Sequence, residues 1–320
     1  MILPMRLAFI AACLFPAAVV ANPTGGSVTS GSATISSSGS TTTVTTSTNG
    51  TIINWTSFSI GAGETTRINQ PGSASVTLNR VTGPSSSSLN GSLQSNGQVF
   101  LTNPNGIVIG SSAQINVAGF VASTLNISDS DFLAGNLHFA AGPAAPLSTS
   151  GSIVASDYVA LIGPTLSVSG TVSTGPGGIV LAAGAPVSIT TSGGVLTSAS
   201  IGLSAANPVV TVDGVLSSTG PIIIQIGGGS SLPHPIIPPS PPVLITPGNL
   251  VITPGTGSGT INWTSFNIGT SAGSIGSGNV GKLTVTNTGQ VSIQGTITVT
   301  GPGPAVTGVA LNLEKREVSF

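Results

Sequence analysis

The feature that most constrains this chain is a recurrence. Gly151-Ser152-Ile153-Val154-Ala155, Gly170-Thr171-Val172-Ser173-Thr174, Gly194-Val195-Leu196-Thr197-Ser198 and Gly214-Val215-Leu216-Ser217-Ser218 follow one another at intervals of 19, 24 and 20 residues. A glycine followed by alternating apolar and small polar residues, repeated with this period, is one supersecondary unit that cannot bury its own apolar face and has to stack on its neighbours. Each unit is expected to set Ile153, Val172, Leu196 or Leu216 above its counterpart in the coil below, so that a buried column forms while Ser and Thr alternate outward. The glycines are expected at the corners, supplying the positive backbone angles of sharp bends. At roughly 20 residues per coil and about 4.8 Å between coils, some 200 residues make a rod of about 50 Å. A β-sandwich is the alternative, but it requires no such repeat.

The rest of the chain has the same texture. Thr43-Val44-Thr45, Val76-Thr77-Leu78, Gln98-Val99-Phe100-Leu101-Thr102 and Gln114-Ile115-Asn116-Val117 are strand-length runs bounded by Gly, Pro, Asn and Ser. Helix formers are scarce, and at most a turn or two of helix is expected, with the best candidate around Ser128-Asp129-Ser130-Asp131-Phe132-Leu133, where Ser or Asp can cap free N–H groups. With six basic and seven acidic residues in 320 and a net charge of −1, the chain has no basic surface for phosphate neutralisation, which excludes nucleic acid as a partner. After the first 21 residues no apolar run approaches the roughly 20 residues of a spanning helix.

Residues 1–21 read as a secretory signal peptide: Arg6, an apolar run from Leu7 to Phe15, Pro16, then Val19-Val20-Ala21, with cleavage expected between Ala21 and Asn22. The single cysteine, Cys13, lies within this segment, so no disulfide is available to residues 22–320. The β-solenoid is expected over 22–229, a Pro- and Gly-rich extended linker over 230–255, and a small C-terminal β unit over 256–320. That last unit opens with a partial duplication. Ile261-Asn262-Trp263-Thr264-Ser265-Phe266-Asn267-Ile268-Gly269 repeats Ile53-Asn54-Trp55-Thr56-Ser57-Phe58-Ser59-Ile60-Gly61 with one difference, and the two copies hold both tryptophans of the chain. Asn54, Trp55 and Phe58, with Asn262, Trp263 and Phe266, are expected to be packing anchors, the large aromatic closing the end of an apolar column.

An ordered series of these segments resembles the secretion domain of two-partner secretion (TPS) proteins, the filamentous-haemagglutinin N-terminal or haemagglutination activity domain family. The series runs from Asn54-Trp55 through Ile68-Asn69-Gln70-Pro71, Leu78-Asn79-Arg80-Val81, Asn96-Gly97-Gln98-Val99-Phe100-Leu101 and Asn103-Pro104-Asn105-Gly106-Ile107. It continues to Val117-Ala118-Gly119-Phe120-Val121-Ala122-Ser123-Thr124, Tyr158-Val159-Ala160-Leu161-Ile162-Gly163-Pro164 and Gly177-Gly178-Ile179-Val180-Leu181-Ala182-Ala183-Gly184. The resemblance implies a right-handed single-stranded parallel β-helix exported through the periplasm and recognised by a dedicated TpsB-type outer-membrane transporter with POTRA domains. It implies a secreted or cell-surface adhesin or haemagglutinin-like protein that meets a ligand on a host or bacterial cell. It also implies that Asn103, Pro104, Asn105, Gly106 and Ile107 form the secretion motif. Pro104 fixes one turn angle, while Asn105 and Gly106 tolerate left-handed backbone. A turn needed for folding alone accounts equally well for these residues. The second family motif, Asn-Pro-Asn-Leu, is absent, its nearest counterpart being Asn69-Gln70-Pro71-Gly72.

Rival functions find little chemistry to use. A β-helical polysaccharide-active enzyme needs paired carboxylates or a cation beside a base, and only Asp129 and Asp131 lie close together in the solenoid, at the expected helical turn. His138 and His234 are far apart, no Ser-His-Asp set stands out, and no catalytic residue, cofactor site or metal site is assigned. Gly276-Ser277-Gly278-Asn279-Val280-Gly281 matches the dinucleotide glycine pattern without a following helix or a distal acid, and reads as a loop. A non-catalytic solenoid binding surfaces by Thr rows such as Thr41-Thr42-Thr43 is a further alternative, although those rows do not persist from coil to coil.

Overall fold

The computed structural model describes residues 22–140, 142, 145–192, 194–201, 208–212, 214–220 and 222–226, and beyond them the strand segments 244–245, 250–253, 259–262, 266–269, 283–285, 290–294, 297–300, 306–308 and 311–314. The expected signal peptide, Trp263 and the 276–281 loop lie outside the described residues, as do the side chains of Asn262 and Phe266.

The chain winds as a parallel β-helix with three faces. One coil runs from Gln98–Thr102 on a broad face, through Ile107–Ile109 on a narrow face, to Gln114–Val117 on a second face, and returns to the broad face at Gly119–Ser123. Repetition of this path builds a ten-stranded broad sheet, an eight-stranded second sheet and a five-stranded narrow sheet. In the second sheet Ile115, Ile153, Val172 and Leu216 stand in register, each within 2% of full burial, as stacked coils require. In the broad sheet Leu101, Ala122, Leu161, Leu181 and Ile224 make the matching inner column. The narrow sheet adds Ile107, Leu147, Leu166 and Val210.

Leu196 does not join the column. Val172 pairs directly with Leu216, and Val195–Ile201 instead folds back antiparallel on Val187–Ser192 as a hairpin outside the helix. The turn sits where Ser192 faces Val195, with Gly194 at φ 84°. Gly193-Gly194 flanked by β-favouring runs is a two-residue hairpin signal, and here that local signal overrides the apparent 20-residue period.

The corner glycines do not supply the positive backbone angles expected of them. Gly151, Gly170 and Gly214 are not among the positive-φ residues. Their role is steric: a Cβ on Gly151 would strike the carbonyl oxygen of Gly110, one on Gly170 that of Gly151, and one on Gly214 that of Gly170. Coils stacked at strand spacing leave no room for a side chain at this corner, so a column of glycines is a packing requirement.

The broad sheet is buried on both faces, which explains why Tyr158–Gly163 and Gly178–Ala183 are apolar without alternation. Its outward column, Ile52, Leu78, Phe100, Val121, Ala160, Val180 and Ile223, is covered by an outer layer. That layer consists of Asn126–Ile127, the helix Asp129–Ala134, Leu137–Ala140 and the hairpin. The helix is the one expected near Ser128, whose Oγ accepts from the Asp131 backbone N–H, and it ends at Gly135 with φ 74°. Phe132 reaches down from it to meet Phe100 edge to face at 5.6 Å.

At the N-terminal end, Ser27–Ser30 and Ala33–Ser38 run antiparallel to Gly50–Trp55 and Thr41–Thr46, closing the first coil. At the other end Leu250–Thr253, inside the Pro-rich stretch, pairs in parallel with Ile222–Ile226, and Leu283–Val285 pairs with it in turn.

The glycine column makes a direct prediction. Gly170→Ala should cost about 2 kcal/mol or more, because backbone has to move to admit the methyl. Gly72→Ala, with open space at its Cβ, should stay within about 0.5 kcal/mol of wild type in urea denaturation.

Candidate functional site

Asn103–Gly106 forms the corner between the broad strand Gln98–Thr102 and the narrow strand Ile107–Ile109. The Gly106 N–H donates to the Asn103 carbonyl at 3.1 Å, closing a four-residue turn with Pro104 at its second position. Asn103 points inward and is fully buried. Its Nδ2 donates to the Ser85 carbonyl at 3.0 Å and to Ser87 Oγ at 2.9 Å, while its Oδ1 accepts the Asn105 N–H at 3.0 Å. The Asn103 N–H reaches the next coil, at the Ser123 carbonyl. One carboxamide therefore supplies, at a bend, the bonds that the sheet ladder supplies along the faces.

Asn105 differs from its neighbour. It lies exposed at the tip, with Nδ2 donating to the Gly83 carbonyl at 2.9 Å. Gly106 takes φ 110°, a region closed to ordinary side chains, and its carbonyl accepts from the Ser87 N–H. Ile107 starts the buried column. The five motif residues thus divide into a buried staple, a rigid turn and one exposed carboxamide.

The remaining anchors sit elsewhere. Trp55 is 1% exposed near the N-terminal end, edge to face with the fully buried Phe58 at 5.6 Å. Its indole N–H donates to Asn79 Oδ1 at 3.1 Å, and Asn79 occupies the apolar column between Ile53 and Leu101. A buried indole needs an acceptor, which explains a carboxamide among leucines. Asn54 is half-buried and accepts weakly from Arg80 at 3.5 Å. Arg80 also donates to the Ile127 carbonyl at 2.8 Å and ion-pairs with Asp129 at 2.6 Å, clamping the outer layer to the broad sheet.

Two further clamps escaped sequence reasoning. Gln70 and Asn96 exchange bonds at 2.7 Å, backbone N–H to Oδ1 and Nδ2 to backbone carbonyl, at the corner that follows the second sheet. Tyr158, the single tyrosine, donates to Gln98 Oε1 at 2.7 Å. A carboxamide two coils from its partner leaves no local signature.

The rival site residues are engaged structurally. Asp129 holds Arg80, and Asp131 accepts from Ser128 Oγ at the helix start. His138 is exposed beside Ser188 Oγ at 2.7 Å. Among the described residues no three His, Cys, Asp or Glu side chains gather as metal ligands, and no helix is long and apolar enough to cross a membrane.

The chain is a parallel β-helix closed at its N-terminal end by antiparallel strands, stapled at its bends by carboxamides and carrying an outer layer on one face. The chain belongs to the TPS secretion domain family, which it matches over residues 19–232. It is similar to the crystal structure of the HMW1 secretion domain from Haemophilus influenzae, with a TM-score of 0.60 and 26% identity over 88% of this chain and 84% of that one. It is 42% identical over 105 residues to a heme/hemopexin-binding protein of Haemophilus influenzae, a match covering 33% of this chain and 12% of that protein. A second heme/hemopexin-binding protein of Haemophilus influenzae is 44% identical over 75 residues, 23% of this chain and 8% of that protein. The chain is thus an exported substrate of the two-partner pathway, a pathway that implies a cognate outer-membrane transporter.

The two asparagines should separate in stability measurements. Asn103→Ala leaves buried polar groups unpaired and should cost about 3 kcal/mol, whereas Asn105→Ala removes one exposed bond and should cost less than about 1 kcal/mol. Tyr158 gives a pH signature. Burial, and secondarily the Asp157 carboxylate, raise its phenol above the usual 10.0. Its contribution to stability is complete below pH 10.0 and is lost as the pH rises beyond it, because only the unfolded chain releases the proton there. Phenolate absorbance should therefore appear together with loss of β-sheet circular dichroism, and Tyr158→Phe should reduce the alkaline sensitivity.

Proposed function

We propose that residues 22–229 direct the chain through a dedicated TpsB-type outer-membrane pore by way of periplasmic POTRA domains, after removal of residues 1–21 behind Ala21. The exposed Asn105 carboxamide, set on the buried Asn103 staple, is the element the transporter reads. The observation carrying this reading is the division of labour at the corner: Asn103 is buried and spends its side-chain bonds on Ser85 and Ser87 of the preceding coil and on the Asn105 N–H, while Asn105 presents a polar tip to solvent. A rigid tip on a folded or folding coil costs a partner little conformational entropy to bind.

Beyond the pore, the protein is a non-enzymatic secreted or cell-surface solenoid of the adhesin or haemagglutinin type, meeting a ligand on a host or bacterial surface. Its charge-poor faces favour contacts made by shape and neutral hydrogen bonding over electrostatic steering. The heme- and hemopexin-binding activity in the names of its relatives belongs to proteins of which the matched stretches are 12% and 8%, and it is not assigned to this chain.

The test is release into the medium with and without the cognate transporter, for wild type, Asn103→Ala and Asn105→Ala. Release should depend on the transporter. Asn105→Ala should lower it by about tenfold, the loss of roughly 1.4 kcal/mol of recognition, while the purified protein keeps its β-sheet circular dichroism. Transporter-independent release, or full release of Asn105→Ala, overturns the assignment.

A further inference from the structure

The corner also contains a reactive dipeptide. Asn105-Gly106 is an Asn-Gly step, in which no side chain on the second residue hinders attack of its backbone nitrogen on the preceding carboxamide. In a mobile chain that attack forms a bond between Gly106 N and Asn105 Cγ and breaks the Cγ–Nδ2 bond. Ammonia departs, taking the amide proton. Water then opens the resulting five-membered imide at either carbonyl, giving aspartate or isoaspartate, and the second product routes the main chain through Cβ and Cγ.

The fold holds both reacting groups away from this reaction. The Gly106 N–H is committed to the Asn103 carbonyl at 3.1 Å, the Asn105 carboxamide to the Gly83 carbonyl at 2.9 Å, and the Asn105 N–H to Asn103 Oδ1 at 3.0 Å. Water reaches the site, since Asn105 is exposed, so the restraint is conformational. Similar locks hold Asn96-Gly97, where both ends of the carboxamide pair with Gln70 and the Gly97 N–H donates to Ser95 Oγ, and Asn90-Gly91, where Nδ2 donates to Ser88 Oγ and the Gly91 N–H to the Ile60 carbonyl.

We infer that Asn105 is a deamidation site protected only by formation of its coil, so that the corner records how long the chain has stayed unfolded. The lesion also opposes refolding. An aspartate at position 105 can only accept, and it would face the Gly83 carbonyl that now receives a hydrogen bond. An isoaspartate would add a backbone atom to a turn closed by the Gly106 N–H. This inference goes beyond the export reading and does not rest on it, because it concerns the isolated chain in water.

The experiment incubates the purified full chain, folded and in urea, at the same mildly alkaline pH, and follows aspartate and isoaspartate at position 105 by peptide mapping. Conversion should be at least about tenfold slower in the folded protein, because the reactive geometry requires the corner to open. Equal rates would overturn the protection. In the second arm, Asn105→Asp should lower the urea midpoint. An unchanged midpoint would overturn the claim that the modified corner resists refolding.

Discussion

Everything in this structure depends on in-register parallel stacking of one coil on the next. Each backbone amide on a face bonds to the coil before or after it, which fixes the separation at strand spacing. Every side chain is then forced to sit above its counterpart. Three consequences follow from that single spacing. Inner positions become columns of Val, Ile and Leu, such as Ile115, Ile153, Val172 and Leu216. The corner between the narrow and second sheets excludes Cβ and becomes a column of glycines. The bends, where the ladder breaks, need side-chain amides to replace it, and Asn103 and the Gln70–Asn96 pair do so.

A rod built this way has two ends and one face too many. Antiparallel strands at the N-terminal end occupy the edge that would otherwise pair with another chain. The outward column of the broad sheet needs an outer layer, which the helix and hairpin provide, with Arg80 and Asp129 clamping them at the start. With no cysteine in residues 22–320, cohesion falls to apolar columns and backbone bonding.

The parts legible in the sequence were those that repeat. The Gly-x-Ile/Val/Leu register announced the solenoid, the Ser128 to Leu133 stretch announced its helical turn, and the ordered motifs from Asn54 to Gly184 announced the family. What the sequence hid was non-repetitive or long-range. The Gly194 turn imitates a coil corner because hairpins and corners both use glycine before a β-branched run, and only pairing partners separate them. The steric reason for Gly170 depends on Gly151 in the adjacent coil, and no window around either residue contains it. At the candidate site the motif could be read as a turn, but the opposite fates of Asn103 and Asn105 depend on Ser85, Ser87 and Gly83, residues of the preceding coil.

The central claim is that the Asn103–Gly106 corner faces the transporter during export. Val108, one strand residue beyond the corner, and Val154, on the second sheet, are both 44% exposed, so they form a matched pair. A photoreactive side chain would be placed at one position or the other in the full chain, and exporting cells carrying the cognate transporter would be illuminated. The account predicts a covalent adduct with the transporter from position 108 and none from position 154. Equal adducts from both positions, or continued export with no adduct from position 108, would contradict it.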